Sequence, residues 1–509
     1  MLARLSTAAL VGLSAHPVGV EVDIGRGLPA ITVVGLGDTA VLQARDRIRA
    51  AFGNSGFDWP DRRVTVSLPP SDLPKHGSGF DLPIALGLLA AAGQVPPEAL
   101  DGLWAVGELG LAGDLRPVRG VLATALAARA AGAGRLLVPE ANLDEAGLVD
   151  GLTVLGSPSL ARTGAWLRGE AALARPGPLP DRGQVSGDDL ADVRGQHPAR
   201  RALEIAAAGG HNLLLAGPPG AGKTMLARRL PGLLPELSEA EALDVTQVYS
   251  AAGLLQGGVP LVRARPFRAP HHTISVPGLV GGGSRIPRPG EASLAHHGVL
   301  FLDELPEFPR VALEALRQPL EDGHVTVVRA AAAVRLPARF ALVAAANPCP
   351  CGYAGDTMVA CRCAPADLDR YARRLSGPLL NRIDLYVQAE RVAPADLADH
   401  AGAEPSAAVR ARVAAARARQ RERGTDANAH LPAGRLIAAC HPDPGARRVL
   451  AAATDRLALS ARAYHRTLRV ARTIADLDAS DPVTADHVTE ALGFRHLPLR
   501  PVEQHPARP

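Results

Sequence analysis

The residues with the clearest chemistry form a glycine-rich octapeptide that ends in lysine and threonine. Its pattern, G-x-x-x-x-G-K-T, is that of a P-loop, in which backbone N–H groups and the start of the following helix surround a triphosphate. Lys223 would reach the β- and γ-phosphates, and the hydroxyl of Thr224 would bind Mg²⁺. The predicted nucleotide-contacting residues of this motif are Gly217, Pro218, Pro219, Gly220, Ala221, Gly222, Lys223 and Thr224.

Lysine is rare in this chain, which sets Lys223 apart. Lys75 and Lys223 are the only lysines among 55 basic residues, so arginine is used elsewhere. A compact ammonium group on a flexible stem fits inside a tight phosphate loop, where a planar guanidinium group does not. The apolar run 213–216 predicts a buried strand before the loop, and residues 225–230 predict a helix after it. This is the strand–loop–helix context that a P-loop requires.

Polar residues also follow two later apolar runs, as expected at the ends of buried strands. Residues 298–302 precede Asp303 and Glu304, an arrangement typical of the Walker B motif. Asp303 would hold the Mg²⁺ shell, and Glu304 would polarise the attacking water. Asn347 follows the run 340–346 and could orient water against the γ-phosphate. The alternative is a simple asparagine turn at the end of a strand.

Two arginines complete the predicted catalytic set. Arg382 stands just before a predicted strand, where an arginine can reach the nucleotide of a neighbouring subunit as a finger. Arg462 lies on a predicted helix with arginines at seven-residue spacing and is the preferred second sensor, whereas Arg466 or Arg469 is expected to be solvated surface. The predicted catalytic residues are Lys223, Asp303, Glu304, Asn347, Arg382 and Arg462.

Several segments around these residues resemble AAA+ ATPases of the magnesium-chelatase clade. Residues 192–196 resemble the adenine-side box of that clade, and 265–272 with 287–291 resemble its insert before Walker B. The resemblance covers 189–495, and the whole chain is similar to the YifB/ComM type of this family. It implies an α/β P-loop AAA+ core with a C-terminal helical lid, ATP and Mg²⁺ as cofactors, and Val193 beside the adenine.

The preceding segment resembles the Lon protease fold, an α+β domain of the ribosomal S5 domain 2-like type. The resemblance rests on residues 74–79, 107–113 and 116–120. Active Lon-type domains pair a serine with a lysine. Here the serine position falls on Gly79, unless Ser78 is shifted by one, and the lysine position falls on Leu122. Leucine cannot accept a proton, so we expect a catalytically dead domain that serves binding or assembly.

The length and composition predict about three domains. A Pro/Gly-rich stretch separates the first segment from the P-loop segment, and an arginine-studded helix leads into the last. The predicted divisions are 1–172 for the Lon-like domain, 173–188 for a linker, 189–395 for the AAA+ core, 396–495 for a linker helix and the helical lid, and 496–509 for a tail.

Four of the five cysteines lie within 15 residues, namely Cys349, Cys351, Cys361 and Cys363. Four thiolates, with Pro and Gly to shape the turns, could close a tetrahedral structural zinc site. Each pair is separated by one residue and not by the more usual two to four. Four reduced thiols or a redox-sensitive loop are therefore the alternatives. The clustering does not resemble a secreted disulfide framework, and Cys440 lies too far along the chain to join it.

Two pairs of adjacent histidines, His271-His272 and His296-His297, invite a metal interpretation. Neighbouring side chains point in different directions on either a strand or a helix, so each pair would be a poor ligand set. We expect them to shape a substrate loop.

Some basic residues are candidates for contact with nucleic acid. Residues 322–329 and 334–336 flank an alanine-rich turn and predict a β-hairpin. By resemblance to helicase rings, whose hairpin before the first sensor projects into the pore, Arg329 or Arg335 could touch a DNA phosphate. Exposed charges on a surface hairpin are the alternative. The arginines between 410 and 423 are expected to form mostly a solvated helix face.

The composition limits the partners. A net charge of +4 and a pI near 9.0 permit a nucleic-acid partner without demanding one. Aromatic residues make up 3% of the chain, too few for a base-stacking platform. No apolar run reaches the ~18 residues that span a bilayer, and the apolar N-terminus continues as alternating strands without a cleavage-like break. We expect a soluble, cytoplasmic protein with no membrane partner.

The resemblance implies a function as well as a fold. It implies a ring-forming, hexameric ATP-driven motor that catalyses branch migration of DNA recombination intermediates in natural transformation. Its partners would be branched or single-stranded DNA and further copies of the chain. An ATPase subunit of a magnesium chelatase is the second hypothesis, which the Lon-like segment disfavours. An ATP-dependent protease is the third, which Leu122 disfavours.

Overall fold

The described residues form two large β-sheets covered by helices and two small two-stranded sheets, followed by a helical C-terminal region. The computed structural model describes residues 1–35, 37–178, 188–255, 259–283, 287–329, 332–356, 358–375, 379–392 and 403–495. The predicted α/β class is confirmed. The predicted tail, and most of the residues predicted as the first linker, lie outside the described residues.

The N-terminal part is built on a seven-stranded mixed sheet with the strand order β3-β4-β2-β1-β5-β8-β9. Its elements, in chain order, are β1 (Leu2–Val11), β2 (Ser14–Gly25), β3 (Ala30–Val34), α1 (Thr39–Leu42), α2 (Ala44–Asn54), β4 (Arg63–Ser67), α3 (Asp81–Ala91), β5 (Leu103–Ala105), β6 (Glu108–Leu109), β7 (Leu115–Arg116), α4 (Val121–Ala130), β8 (Arg135–Pro139), α5 (Leu143–Ala146), β9 (Thr153–Ser157) and α6 (Leu160–Leu167). β1 and β2 form a tight antiparallel hairpin in which Val11 faces Ser14. α3 is apolar all round and is fully buried against this hairpin, as expected for a helix without a polar face.

The central part is a five-stranded parallel sheet with the strand order β11-β12-β15-β10-β16. Its elements are α7 (His197–Gly209), β10 (Leu213–Ala216), α8 (Lys223–Leu233), α9 (Glu239–Ala252), β11 (Phe267–Arg268), α10 (Val276–Val280), α11 (Glu291–Leu294), β12 (Val299–Leu302), α12 (Arg310–Ala315), α13 (Arg317–Asp322), β13 (His324–Arg329), β14 (Ala332–Pro337), β15 (Ala341–Ala346), α14 (Pro365–Leu375) and β16 (Leu385–Gln388). The three middle strands are continuous apolar runs because both faces of a parallel sheet are buried. Their carboxyl ends lie at one edge of the sheet, where ligands bind in folds of this class.

β13 and β14 form the predicted hairpin. Its side chains alternate between a buried and an exposed face. Val325, Val327, Val334 and Leu336 join the apolar cluster that contains residues of β12 and β15. Arg335 and Val328 lie on the exposed face.

The C-terminal part consists of α15 (Ser406–Glu422), α16 (Ala433–Cys440), α17 (Pro444–Leu457), α18 (Ala461–Leu477) and α19 (Ala485–Gly493). These helices share one apolar cluster with α7, α8 and the parallel sheet. Within that cluster the guanidinium group of Arg472 is buried beside Asp476, one turn further along α18. No helix in the described part of the chain is long and apolar enough to cross a membrane.

The N-terminal part contacts the central part through α9 and the β1–β2 turn. The amide of Gln247 donates a hydrogen bond to the carbonyl of Leu13 at 2.8 Å, and the hydroxyl of Ser250 donates to the buried carboxyl of Glu145. Leu13 belongs to the same apolar cluster as Val334 of β14, and a Cβ at the neighbouring glycine would overlap that valine. The middle of the β13–β14 hairpin is thus packed against both parts of the chain.

Candidate nucleotide-binding site

The P-loop connects strand β10 to α8 at the carboxyl edge of the parallel sheet. Its first residue must be glycine because a Cβ at Gly217 would lie 2.1 Å from the carbonyl oxygen of Ala389. The last glycine of the loop, Gly222, adopts a φ of 79° at the start of α8, a conformation that favours glycine. The loop therefore brings its backbone close to the N-terminus of α8, which is the arrangement that binds phosphate.

Lys223 and Asn347 lie together across two adjacent strands. The ammonium group of Lys223 donates to Asn347 Oδ1 at 3.0 Å, to Gly217 O at 2.7 Å and to Pro218 O at 3.0 Å. Burial lowers the pKa of Lys223, while the carboxylates of Asp303 and Glu304 act in the opposite direction. A buried ammonium held in this way is positioned to take up the negative charge of a triphosphate.

Thr224 and Asp303 form the predicted magnesium pair. The Thr224 hydroxyl donates to Asp303 Oδ2 at 2.7 Å. Adjacent oxygen ligands in an octahedral Mg²⁺ shell lie about 2.9 Å apart, since each Mg–O distance is about 2.0–2.1 Å. The two oxygens thus already have the spacing of neighbouring Mg²⁺ ligands, so the residues present fit Mg²⁺ with ATP.

Glu304 follows Asp303 in a left-handed backbone conformation with a φ of 52°. Its side chain is 55% exposed, and one of its carboxylate oxygens lies 3.2 Å from Nδ1 of His272. His272 was not predicted to act here. Its position, four residues after β11, gave the available signal, because β11 and β12 are parallel neighbours and residues beyond their carboxyl ends can meet.

The predicted adenine-side segment contacts the other side of the P-loop. Val193 is fully buried, and its carbonyl accepts a hydrogen bond from Arg200 at 3.1 Å. The amide of Gln196 donates to Ala221 O at 3.0 Å and to the carbonyl of Glu390. These contacts fix the segment beside the loop, so that Val193 and the P-loop belong to one packed unit.

The two predicted sensor arginines lie in different surroundings. Arg382 ends a short 3₁₀ turn, its side chain is only 9% exposed, and its guanidinium group pairs with Glu321 of α13. Arg462, at the start of α18, is exposed. Of the predicted catalytic set, the structure brings together Lys223, Asp303, Glu304 and Asn347, but it does not pair either arginine with these four.

Two predictions about other arginines are wrong. Arg466 and Arg469 are not solvated surface. They are half-buried and donate to the carbonyls of Ile383 and Leu431, respectively. The arginines of α15 do not form mostly a solvated face either, because most of them bind carbonyl or carboxylate oxygens of neighbouring elements. The ones that do so are Arg410, Arg412, Arg417, Arg419 and Arg423.

The prediction that adjacent histidines point apart is also wrong. The ring centroids are 4.0 Å apart in the first pair, His271-His272, and 3.9 Å apart in the second, His296-His297. Both pairs lie in turns and not on a regular helix or strand, so the alternation of side chains does not apply. Burial lowers the pKa of His296 to about 3, and its Nδ1 accepts a hydrogen bond from the backbone of Arg339.

The four clustered cysteines meet next to the P-loop. Their sulfur atoms all lie within 4.8 Å of one another, and none is in a disulfide. Cys440 is buried in the C-terminal helices, where its thiol donates to Leu468 O at 3.6 Å. The donor set and its spacing thus fit a thiophilic metal ion.

The protease-like motif has no serine–lysine pair among its described contacts. The hydroxyl of Ser78 donates to the carboxylate of Glu108. Lys75 is buried and donates to the carbonyl of Pro70. Leu122 is also fully buried, and its backbone N–H donates to Glu145 at 2.9 Å. A catalytically dead domain remains the prediction for this part of the chain.

Protein-family models match three successive parts of the chain. The model described as magnesium chelatase, subunit ChlI, matches residues 189–397. Subunit ChlI of Mg-chelatase matches residues 20–142, and the C-terminal model of the same subunit matches residues 403–495. The matches therefore include parts of both sheets and the C-terminal helices.

Several relatives match over nearly the whole length. An uncharacterized protein of Mycobacterium tuberculosis is 48% identical over 503 residues, which is 98% of this chain and 99% of the relative. YifB of Escherichia coli is 47% identical over 498 residues, or 97% of each chain. The competence protein ComM of Haemophilus influenzae is 45% identical over 504 residues, or 97% of this chain and 98% of ComM. The predicted family is confirmed, and the chain belongs to the YifB/ComM family of magnesium-chelatase-like proteins, which have a P-loop AAA+ core.

Proposed function

We propose that the protein is an ATP-hydrolysing motor that assembles as a ring of six copies and catalyses branch migration of DNA. The observation that carries this proposal is the packing of the β13–β14 hairpin. Its buried valines and leucine share one apolar cluster with β12 and β15, the strands that end in Asp303 and Asn347. A change at the γ-phosphate can therefore be transmitted to the hairpin through close-packed side chains.

Each step of ATP hydrolysis has a candidate residue in this site. Lys223 would bind the β- and γ-phosphates, and Thr224 and Asp303, whose oxygens are adjacent, would hold Mg²⁺. Glu304, exposed and beside His272, polarises the attacking water. Asn347, bound to Lys223, orients that water against the γ-phosphate. Bound Mg²⁺ would neutralise charge that develops on the phosphate oxygens.

The position of Arg382 supports assembly into a ring. Within one chain its guanidinium group pairs with Glu321 and not with the Walker residues. An arginine finger acts on the nucleotide of the neighbouring copy. We infer that Arg382 exchanges Glu321 for the neighbour's γ-phosphate when the ring forms and ATP binds.

The proposed substrate is branched or single-stranded DNA. The relative ComM is named a competence protein, and competence is the uptake of DNA. On the hairpin, Arg329 and Arg335 are exposed, so both can reach phosphates of a strand in the ring's pore. Exchange between phosphate contacts on successive copies would move the strand.

The experiment is a measurement of ATP turnover with a four-way junction, duplex DNA, single-stranded DNA and no DNA. We expect junction DNA to stimulate turnover and Lys223→Ala and Glu304→Gln to abolish it. The double variant Arg329→Ala/Arg335→Ala should keep the DNA-free rate and lose the stimulation. Arg45→Ala, which removes an exposed arginine of α2, is the matched control and should behave as the wild type.

Other outcomes would contradict the proposal. Turnover that is indifferent to every DNA, together with stimulation by a magnesium-chelatase partner subunit and porphyrin, would establish the chelatase alternative suggested by the family models. ATP-stimulated cleavage of unfolded protein that Ser78→Ala abolishes would establish the protease alternative. An unaltered DNA response in the hairpin double variant would reject the hairpin as the DNA contact.

A further inference from the structure

The four clustered cysteines belong to one loop, defined here as the cysteine loop (residues 348–364). The sulfur of Cys349 lies 3.3 Å from that of Cys351 and 3.7 Å from that of Cys361. The sulfurs of Cys351 and Cys361 are 3.6 Å apart. The sulfur of Cys363 accepts a hydrogen bond from the backbone N–H of Cys351 at 3.4 Å. Two pairs that are ten residues apart in sequence thus meet at one point.

These distances agree with a single tetrahedral metal ion. With Zn–S bonds of about 2.3 Å, the sulfurs of a tetrahedral site lie about 3.8 Å apart. A disulfide would bring two sulfurs to about 2.0 Å. An iron–sulfur cluster would separate them further, because several iron atoms stand between the thiolates. Of these three arrangements, the mononuclear site is the one with the observed spacing.

The surroundings favour thiolates. Backbone N–H groups point at two of the sulfurs, from Ala354 to Cys349 at 3.2 Å and from Cys351 to Cys363 at 3.4 Å. Such donors stabilise the negative charge of thiolates and orient the ligands of a metal ion. A set of four sulfur ligands selects zinc among the common divalent metals of proteins.

The loop has few other means of holding its shape. Its described residues contain no helix or strand, and Met358 is 80% exposed. Apart from the cysteines, its side-chain anchors are Asp356, which accepts hydrogen bonds from the backbone of Met358 and Val359 and pairs with Arg391, and Tyr353, whose ring lies against the same arginine. A segment without an apolar core commonly depends on a structural metal.

The loop lies directly against the P-loop. Gly352 has a φ of +88°, and a Cβ at this position would lie 2.6 Å from the ring of Pro219. Two residues before Cys349, Asn347 receives the hydrogen bond of Lys223, and Tyr371 of α14 donates to the carbonyl of the same Asn347 at 3.0 Å. The cysteine loop therefore contacts the loop that would bind phosphate and directly follows the residue that would orient water.

We propose that Cys349, Cys351, Cys361 and Cys363 bind one structural Zn²⁺ ion that holds the cysteine loop against Pro219 and keeps Asn347 in place. The metal site itself is independent of the proposed DNA function. Its effect on the nucleotide rests on ATP binding at the P-loop. Loss of the metal should release the loop and weaken ATP binding without altering the Walker residues.

The first test is the metal content of the full chain purified without chelator. We expect about one zinc ion per chain in the wild type and in Cys440→Ala, which removes the one cysteine outside the cluster. The variant Cys351→Ser/Cys363→Ser should retain less than about a tenth of that. Wild-type protein without a bound metal, and with four thiols of the cluster free to react, would overturn the proposal.

A second measurement uses the wild type alone, so that it does not depend on the folding of a variant. A mercurial reagent that blocks thiols should release zinc to a chromogenic chelator in step with modification of four cysteines. Protein depleted of zinc and loaded with Co²⁺ should show the visible absorption of tetrahedral cobalt with sulfur ligands. Octahedral cobalt spectra, or zinc release unrelated to thiol modification, would place the metal elsewhere.

The coupling is tested by nucleotide binding. Depleted protein, freed of chelator before Mg²⁺ and ATP are added, should bind ATP at least about fivefold more weakly and recover when zinc is restored. Equal affinity in the two forms would reject the coupling but leave the metal site. Absence of ATP binding in both forms would instead reject the ATPase proposal, so the two failures are distinguishable.

Discussion

The contact between the cysteine loop and the P-loop can be tested with two glycines of the same loop. Gly352 and Gly355 have similar positive φ angles, +88° and +79°. Alanine at either position adds a similar backbone strain of about 1–2 kcal/mol, because the left-handed conformation is unfavourable for a residue with a Cβ. Only at Gly352 would the new methyl group meet another segment, the ring of Pro219 at 2.6–2.7 Å. At Gly355 it would enter open space. The pair thus separates backbone strain from displacement of the P-loop.

The size of the effect follows from the overlap. A methyl group forced into packed surroundings costs about 1–3 kcal/mol. The proline ring cannot rotate away as a flexible side chain would, so the cysteine loop or the P-loop must shift. If the P-loop shifts, the shift relieves the strain in the protein without ATP. ATP binding requires the P-loop to return, so the strain energy then opposes binding. Gly352→Ala should then raise the Kd for ATP about fivefold to more than a hundredfold.

The assay is calorimetric titration of ATP with Mg²⁺ into each variant, with thermal unfolding measured in parallel. Gly355→Ala should lower the melting temperature slightly and leave the Kd within about twofold of the wild type. Lys223→Ala, which removes the ammonium group of the P-loop, serves as the reference for the weakest ATP binding. Equal Kd values for both glycine variants would refute the reasoning, since the two substitutions would then differ only in a contact without consequence for the nucleotide.

Three further predictions concern the catalytic residues and the domain contact. Thr224→Val keeps the branched shape but removes the Mg²⁺ ligand, so it should lower ATP turnover by more than about tenfold and shift its Mg²⁺ dependence to higher concentration. His272→Ala frees the carboxylate of Glu304 and should lower kcat by about tenfold with little change in ATP affinity, as separate measurements of turnover and binding would reveal. Burial raises the pKa of Glu145 despite the opposing hydrogen bond from Ser250, so the domain contact is strongest while this carboxyl is protonated and weakens as the pH rises through that raised pKa. Glu145→Gln should therefore have a melting temperature that changes less than that of the wild type between about pH 5 and pH 8, and an identical pH profile would contradict this.

The central site was predictable because its signals are local. Each predicted residue follows an apolar run, and parallel strands bring their carboxyl ends to one edge. The run before Asn347 and the run before Asp303 became neighbouring strands, so both residues lie near Lys223. The signal for His272, its place four residues after β11, was weaker, because its contact with Glu304 also depends on the path of a turn.

Arginine was harder to interpret than any other residue. With lysine nearly absent, arginine serves both in the interior and on the surface, and a charge pattern cannot separate the two uses. Arg472 is fully buried beside Asp476, and Arg469 binds a backbone carbonyl. A guanidinium group has five donors and can satisfy several carbonyls at a helix junction. Such contacts depend on helix packing, which the spacing of residues along one helix does not specify.

The packing of the β1–β2 turn against Val334 limits how this protein can be dissected. The turn covers apolar side chains in the middle of the β13–β14 hairpin, and Glu145 satisfies the hydroxyl of Ser250 on α9. A fragment that begins after the first sheet would therefore present a bare apolar patch and lose a buried hydrogen bond. We expect such a fragment to aggregate, so deletion would report on solubility and not on what the first sheet contributes. Single substitutions on its far surface are the informative alternative.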